Sequence, residues 1–261
     1  MILDDLKYKA LKCTRENNLE FIDFEICDLL TYVRVSDKQK IFTGVALTPK
    51  GEGQLETIQC SSIKEILQSK TYDISLRAVT LATINAIGQY TLSKEKLELR
   101  ENLRENLREE LTKLIMKNSN ELDKIVFIGH LAPVVNKLKE NRYDVTVFCR
   151  TKTDFQNKVY NDIFEYEAVS EASIVVITGA ALIGSTVDAL LQFTKKAKMV
   201  ILAGFSAGVY PLWLDNIGFT HIASTYLENF STETIRQNRL EDVFDNPCYI
   251  YPLKNISSKN I

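Results

Sequence analysis

The chain has 261 residues, 45% hydrophobic and 25% charged, a balance that fits a folded globular protein and excludes a disordered, collagenous or disulfide-rich scaffold. Lys and Arg total 32 against 34 Asp and Glu, so the net charge of −2 gives no electrostatic reason to expect nucleic acid or an acidic membrane surface as a partner. No apolar run reaches the ~20 residues that span a bilayer. The first residues, MILDDLKYKALKC, place acids where a signal peptide carries positive charge, so a cytoplasmic protein is expected.

Residues 2–17 have helical apolar spacing through Leu3, Leu6, Tyr8, Ala10 and Leu11. FIDFEI, TYVRVS and KIFTGVALT then read as strands, with S-D-K-Q at 36–39 as a turn between the last two. Ser62 with Glu65 three places on is a capping-box signature, which starts a short helix in SSIKEILQS. The stretch 73–90, DISLRAVTLATINAIGQY, reads as a longer helix, small and apolar around most of its circumference and therefore buried.

Residues 93–117 change character. The near-repeat R-E-N-L sets Leu99, Leu103, Leu107 and Leu111 four apart, with Glu101–Arg104 and Glu105–Arg108 spaced for ion pairs on one helix. One long amphipathic connecting helix is expected, with dimerisation or a lid as other uses for it. Fours drift around a 3.6-residue helix, so this is not a sustained coiled coil. A boundary is expected near Asn118–Asp123, dividing the chain into domains at 1–92 and 119–261 joined by 93–118.

From Lys124 the pattern becomes α/β. KIVFIG, DVTVFC, SIVVITG and KMVILAG are short, continuously apolar runs between helix-like segments, as in parallel strands covered on both faces. HIAST and CYIYPL are expected as edge strands. Three runs end on glycine: Gly129 opens GHLAP, Gly179 opens GAALIGST and Gly204 opens GFSAGVYP. A helix is expected after each, with Pro133 and Pro211 in first turns and Ser185 or Thr186 as a cap. In doubly wound sheets, ligands bind beyond the carboxyl ends of the strands, where these loops should gather.

Nucleotide motifs fail on chemistry. Gly179 and Gly184 have P-loop spacing, but Ser185 stands where that loop needs a lysine for the phosphates. The first turn after IVFIG holds one glycine where a dinucleotide fingerprint needs three, and Cys149 followed by Arg150 stands where an acid would bind ribose. Five cysteines, far apart and without C-x-x-C, and two histidines, His130 and His221, give no clustered metal site; reduced thiols are expected. Glycine turns that open helices offer backbone N–H groups to a carboxylate or phosphate, with Thr178, Thr186 and Ser206 adding hydroxyls. His130 is the one imidazole on these loops. The acids Glu52 and Glu56 fall in a polar stretch expected to be a solvated loop.

The order G-H-x-x-P, then T-G-x-A-L-I-x-x-T, then G-x-S-A resembles the family described as "putative heavy-metal chelation". TGVALTP at 43–49, the SSIKEIL helix and ATINAIG at 82–88 are similar to that family's companion N-terminal domain, so the resemblance covers roughly residues 20–230. It implies a small α+β domain like the N-terminal domain of enolase, followed by a Rossmann-like parallel-sheet domain, with the site in the cleft between them. Carried over by motif, the ligand-binding positions are Thr48, Gly129, Thr178, Gly179, Thr186, Gly204 and Ser206. His130 and Asn85 are the expected contacts of the reacting centre. Gly184 departs from the asparagine expected there, and Phe205 and Gly208 depart from a proline-rich G-P-S-x-P spacing. The implied function is binding, with or without transformation, of a small anionic metal-chelating organic ligand, any transition metal being held through that chelator. A homodimer without nucleic-acid or membrane partners is expected. The alternative is an oxidoreductase or transferase using a nucleotide cofactor.

Overall fold

The computed structural model describes residues 1–50, 59–95, 106–150, 153–227, 231–237, 243 and 246–254. Helix α1 (Ile2–Asn17) buries Leu3, Leu6 and Ala10 at helical spacing and carries Asp4 and Asp5 in its first turn, where the helix dipole favours acids. Asn18 ends it in the left-handed conformation. Strands β1 (Glu20–Ile26), β2 (Leu30–Ser36) and β3 (Ile41–Leu47) form an antiparallel meander in that order. Helix α2 (Ile63–Gln68) starts at Ser62, whose side chain accepts from the Glu65 N–H; the Glu65 carboxylate reaches back to Ser61 and not to the cap itself.

Helix α3 (Ile74–Lys94), capped by Asp73, is buried on every side from Ala78 to Tyr90 because it lies between this small sheet and the rest of the protein. Its small residues set the spacing. A Cβ on Gly44 of β3 would stand 2.1 Å from Ala82 O and Ala86 N, and one on Gly88 would stand 2.6 Å from Gly208 O. Its polar residues clasp both neighbours. Asn85 Nδ2 donates to Val45 O (2.8 Å) and Ser206 O (3.0 Å), while Gln89 donates to Thr225 O and accepts from the Leu227 N–H.

The larger sheet follows helix α4 (Leu107–Lys117). Its strands are β4 (Lys124–Ile128), β5 (Asp144–Phe148), β6 (Val159–Tyr160), β7 (Ile174–Thr178), β8 (Met199–Ala203), β9 (His221–Thr225) and β10 (Cys248–Pro252). They lie in the order β10-β9-β8-β7-β4-β5-β6, all parallel except β10. Read from the β6 edge and counted within the sheet this is 3-2-1-4-5-6-7, the doubly wound order 3-2-1-4-5-6 with antiparallel β10 added at its far edge, and its switch point lies between β4 and β7. Helices α5 (Ala132–Glu140), α6 (Glu165–Glu171), α7 (Ala181–Gly184) and α8 (Thr186–Phe193) fall between the strands, and α9 (Thr232–Arg236) follows β9. The fold is therefore α/β, a small antiparallel sheet joined to a mostly parallel one.

Strand alternation divides the core. Ile125 and Phe127 of β4 face α4 and α5, where Leu107, Leu111 and Ile115 pack at helical spacing. Val126 and Ile128 face the other way, into a cluster that is continuous with α1, α3 and the small sheet. Among the described residues no helix is long and apolar enough to cross a membrane.

Three local expectations change. The helix expected over 93–117 is present as the end of α3 and, separately, as α4, which starts afresh where the Asn106 side chain accepts from the Arg108 and Glu109 N–H groups; residues 96–105 lie outside those described. After Gly204 the chain makes 3-10 turns at Phe205–Ala207 and Pro211–Leu214 in place of an α-helix, because Ser206 and Gly208 are pressed against Asn85 of α3. HIAST is an inner strand with β8 and β10 on either side, and the true edge opposite β10 is the two-residue β6. Glu52 and Glu56 lie outside the described residues.

Candidate functional site

Beyond the carboxyl ends of β4, β5, β7 and β8, on both sides of the switch point, lies a cavity of about 480 Å³. Each strand-end turn is shaped by its glycine. Gly129 and Gly204 sit at φ 89° and 95°, a region closed to most side chains. A Cβ on Gly129 would also meet the Thr178 hydroxyl at 2.4 Å. Gly179 has ordinary φ but admits no Cβ, since Ala207 N and the Ser206 carbonyl carbon would lie at 2.3 Å. The three turns are therefore packed against one another.

Seven of the residues expected at the site line this cavity: Gly129, His130, Thr178, Gly179, Thr186, Gly204 and Ser206. Two do not. Thr48 is buried beside the lining residues Leu47 and Pro49, its hydroxyl paired with that of Thr31 at 3.0 Å. Asn85 is 1% exposed and ties β3 to the turn after β8 through the bonds given above; its Oδ1 has no hydrogen-bond partner. Ser206 has a structural duty as well, because its hydroxyl accepts the Leu47 N–H at 2.9 Å.

The glycine N–H groups are not available to an anion. Gly129 N–H donates to Phe148 O, Gly179 N–H to Ala203 O and Gly204 N–H to Ala223 O, which extends the sheet ladder by one residue at each turn. Lys50, Arg108 and Arg150 bring three cations to the lining against two carboxyls, Asp162 and Glu165. Arg150 Nε donates to Asp162 Oδ2 at 2.8 Å, and Lys50 pairs with Asp28 at 2.9 Å. Thr178 and Thr186 also line this space, and no hydrogen bond of either hydroxyl to a described residue is made. Much of the remaining wall is apolar, including Ile74, Leu111, Ile128, Phe148 and Ile183.

The turn GAALIGST is fixed from α3. Arg77 Nε donates to Ile183 O at 2.5 Å, and the same guanidinium donates to the Ser185 hydroxyl. Ser185 is left-handed at φ 59° and provides no side-chain cap to α8, since its hydroxyl serves Arg77. Leu182 and Ile183 are buried, so the apolar middle of the turn is mainly packing, although Ala180, Ala181 and Ile183 also reach the cavity wall. Gly184 leaves room beside Arg150, whose Nη1 would lie 3.9 Å from a Cβ there.

Glu165 is the group that sequence reasoning did not find. It is 4% exposed at the start of α6 and lines the cavity. Burial, followed by the charge of Asp162, pushes its carboxyl up to about 7, with Arg150 opposing. An acid in the first turn of a helix is so ordinary that the sequence carried no signal of it. Arg108, Leu107 and Leu111 were also unrecognised as cavity wall, although the R-E-N-L pattern located their helix. His221 lies away from the cavity. Its Nδ1 and the Thr220 hydroxyl are 2.9 Å apart, and burial lowers its pKa.

Among the described residues no group of three or more His, Cys, Asp or Glu side chains is placed to hold a metal ion. None of the five cysteines is in a disulfide, and of them only Cys149 lines the cavity.

A family model described as "Putative heavy-metal chelation" matches residues 114–237. An uncharacterized protein of Methanocaldococcus jannaschii is 32% identical over 234 residues, which is 86% of this chain and 86% of that one. A crystal structure of a protein with unknown function from the DUF364 family, from Pyrococcus horikoshii, has a TM-score of 0.78 at 26% identity, over 97% of this chain and 100% of that one. A second member of that family, from Desulfitobacterium hafniense, has a TM-score of 0.71 over 95% of this chain and 98% of that one; at 13% identity it is a likeness of fold alone.

Proposed function

Since the chain belongs to the family described as "putative heavy-metal chelation", we propose that its cavity binds a small anionic organic chelator and that the protein handles heavy metal through that molecule. The observation that carries this reading is the meeting of three strand-end turns with Lys50, Arg108 and Arg150 in one space of about 480 Å³. That is the size of a small-molecule site, mostly apolar with a few convergent polar groups. Arginines suit a carboxylate ligand because the planar guanidinium can meet both oxygens. The hydroxyls of Thr178 and Thr186 add neutral hydrogen bonds, and His130 lies at the turn after β4.

The described side chains do not fit a protein-built metal cage, because no three donors converge. A transition metal would therefore enter with its donors supplied by the organic ligand. The site draws Leu47, Pro49, Lys50 and Ile74 from the first expected domain and the rest of its lining from α4 and the second. In this reading the protein is a cytoplasmic homodimer with no nucleic-acid or membrane partner.

The doubly wound strand order favours one second reading, an oxidoreductase or transferase with a nucleotide cofactor. Native mass spectrometry of protein purified from its own cells, with metal analysis of the same sample, separates the two. A co-purifying organic mass accompanied by metal supports the chelator, and a dinucleotide or S-adenosylmethionine mass selects the second reading. Arg150→Gln should weaken retention of the chelator about tenfold or more, the loss of one charge-assisted contact. Retention equal to wild type would remove Arg150, and with it the anion site, from the reading.

A further inference from the structure

Among the described residues of the cavity, Glu165 is the one nearly buried carboxyl, at 4% exposed. Other charged groups of the lining are engaged: Asp162 with Arg150, and Lys50 with Asp28. Other charges on elements packed against α6 are directed elsewhere. Asp188 of α8 accepts the Ile2 N–H, and Lys196 and Lys124 act on Glu171 at the opposite end of α6. The cavity thus presents an enclosed carboxyl next to an Arg–Asp pair, with Phe148 and Ile183 as apolar wall. Such a group exchanges its proton near neutral pH, as a catalytic acid must.

We propose that Glu165 is the acid–base group of the cavity, so that the bound organic anion is a substrate to which Glu165 donates a proton while the arginines hold its negative charge. The inference rests on the anion-binding reading above. Arrival of an anion beside Glu165 favours its protonated form, so binding takes up a proton from water. The transfer then breaks the Glu165 O–H bond and forms a bond from that hydrogen to a proton-accepting atom of the ligand. It leaves a carboxylate that water reprotonates. The substrate class is a small carboxylate or related oxyanion with a basic atom close to its charged group.

The test begins without ligand. Carbon-13 NMR of labelled glutamate carboxyls, with the Glu165 signal assigned by its loss in Glu165→Gln, follows the titration without any reagent having to enter the cavity. The Glu165 midpoint should lie well above the usual carboxylate range, while exposed Glu171, held by Lys196, should titrate below it. A Glu165 midpoint no higher than that of Glu171 would overturn the acid–base role and leave the ligand reading standing. For the molecule found by native mass spectrometry, wild-type affinity should fall up to about tenfold per pH unit above 7. Glu165→Gln should be flat over the same range, which a packing role alone does not predict. Two parallel pH profiles would overturn the proposal. Absence of any co-purifying organic mass would overturn the ligand reading, and the substrate with it, whatever the titration shows.

Discussion

Glu165→Gln gives a stability prediction whose sign is opposite to that of most buried-group substitutions. The carboxyl is 4% exposed and its pKa is raised from 4.5 to about 7, chiefly by burial. Between these values the folded state holds a proton that the unfolded state has released, so stability falls as pH rises from 4.5 to about 7 and stays lower above. The interval corresponds to about 3 kcal/mol as a ceiling, at 1.36 kcal/mol per pH unit. Glutamine has the shape of the protonated acid and cannot ionise. The variant should therefore match wild type near pH 4, below the unfolded value, and exceed it by about 2–3 kcal/mol at pH 8.5. Urea unfolding at both pH values reads the difference, because carboxylates common to the two proteins cancel in the comparison. A variant less stable than wild type at pH 8.5, or one with a pH-independent difference, would show that Glu165 is ionised in the fold and that the argument is wrong.

Two other predictions test the frame of the site. Gly44→Ala should cost about 3 kcal/mol or more and lower the melting temperature by roughly 6–12 °C, because the new methyl would lie 2.1 Å from backbone atoms of α3 that cannot move independently; an unchanged melting temperature would mean that β3 and α3 are not so closely apposed. Arg77→Met should release the Ile183 carbonyl and the Ser185 hydroxyl, costing about 1.5–3 kcal/mol. Amide hydrogen exchange should then quicken across 180–186 while β4 and β7 stay protected, and uniform protection would refute the clamp.

How much of this was legible in the sequence varies with the range of the interaction involved. The helix starts at Ser62 and Asp73 and the apolar runs of β4, β5, β7 and β8 follow from patterns a few residues long, and the structure places them where those patterns predict. Apolar periodicity was less reliable where a polar cap intervened, as at Asn106, which restarts a helix inside the R-E-N-L pattern. It failed at Phe205–Ala207, where contact with Asn85 overrides a helix-like string.

Within the site, the three glycines were visible because positive φ and close approach demand glycine wherever they occur. The partners of their N–H groups were not, since those are carbonyls on neighbouring strands, chosen by the sheet order. The same holds for Glu165, Arg108 and Arg150. Each is an ordinary charged residue in its own segment, and only the assembled sheet brings all three to one cavity. The amino-acid sequence by itself determined most of the elements, the α/β class and the glycines that end three strands, because those depend on backbone preference and on a side-chain period of two or 3.6. The tertiary structure decided the switch point, the closure of the cavity and the proton affinity of Glu165, because strand order and desolvation are set by contacts between residues far apart in the chain.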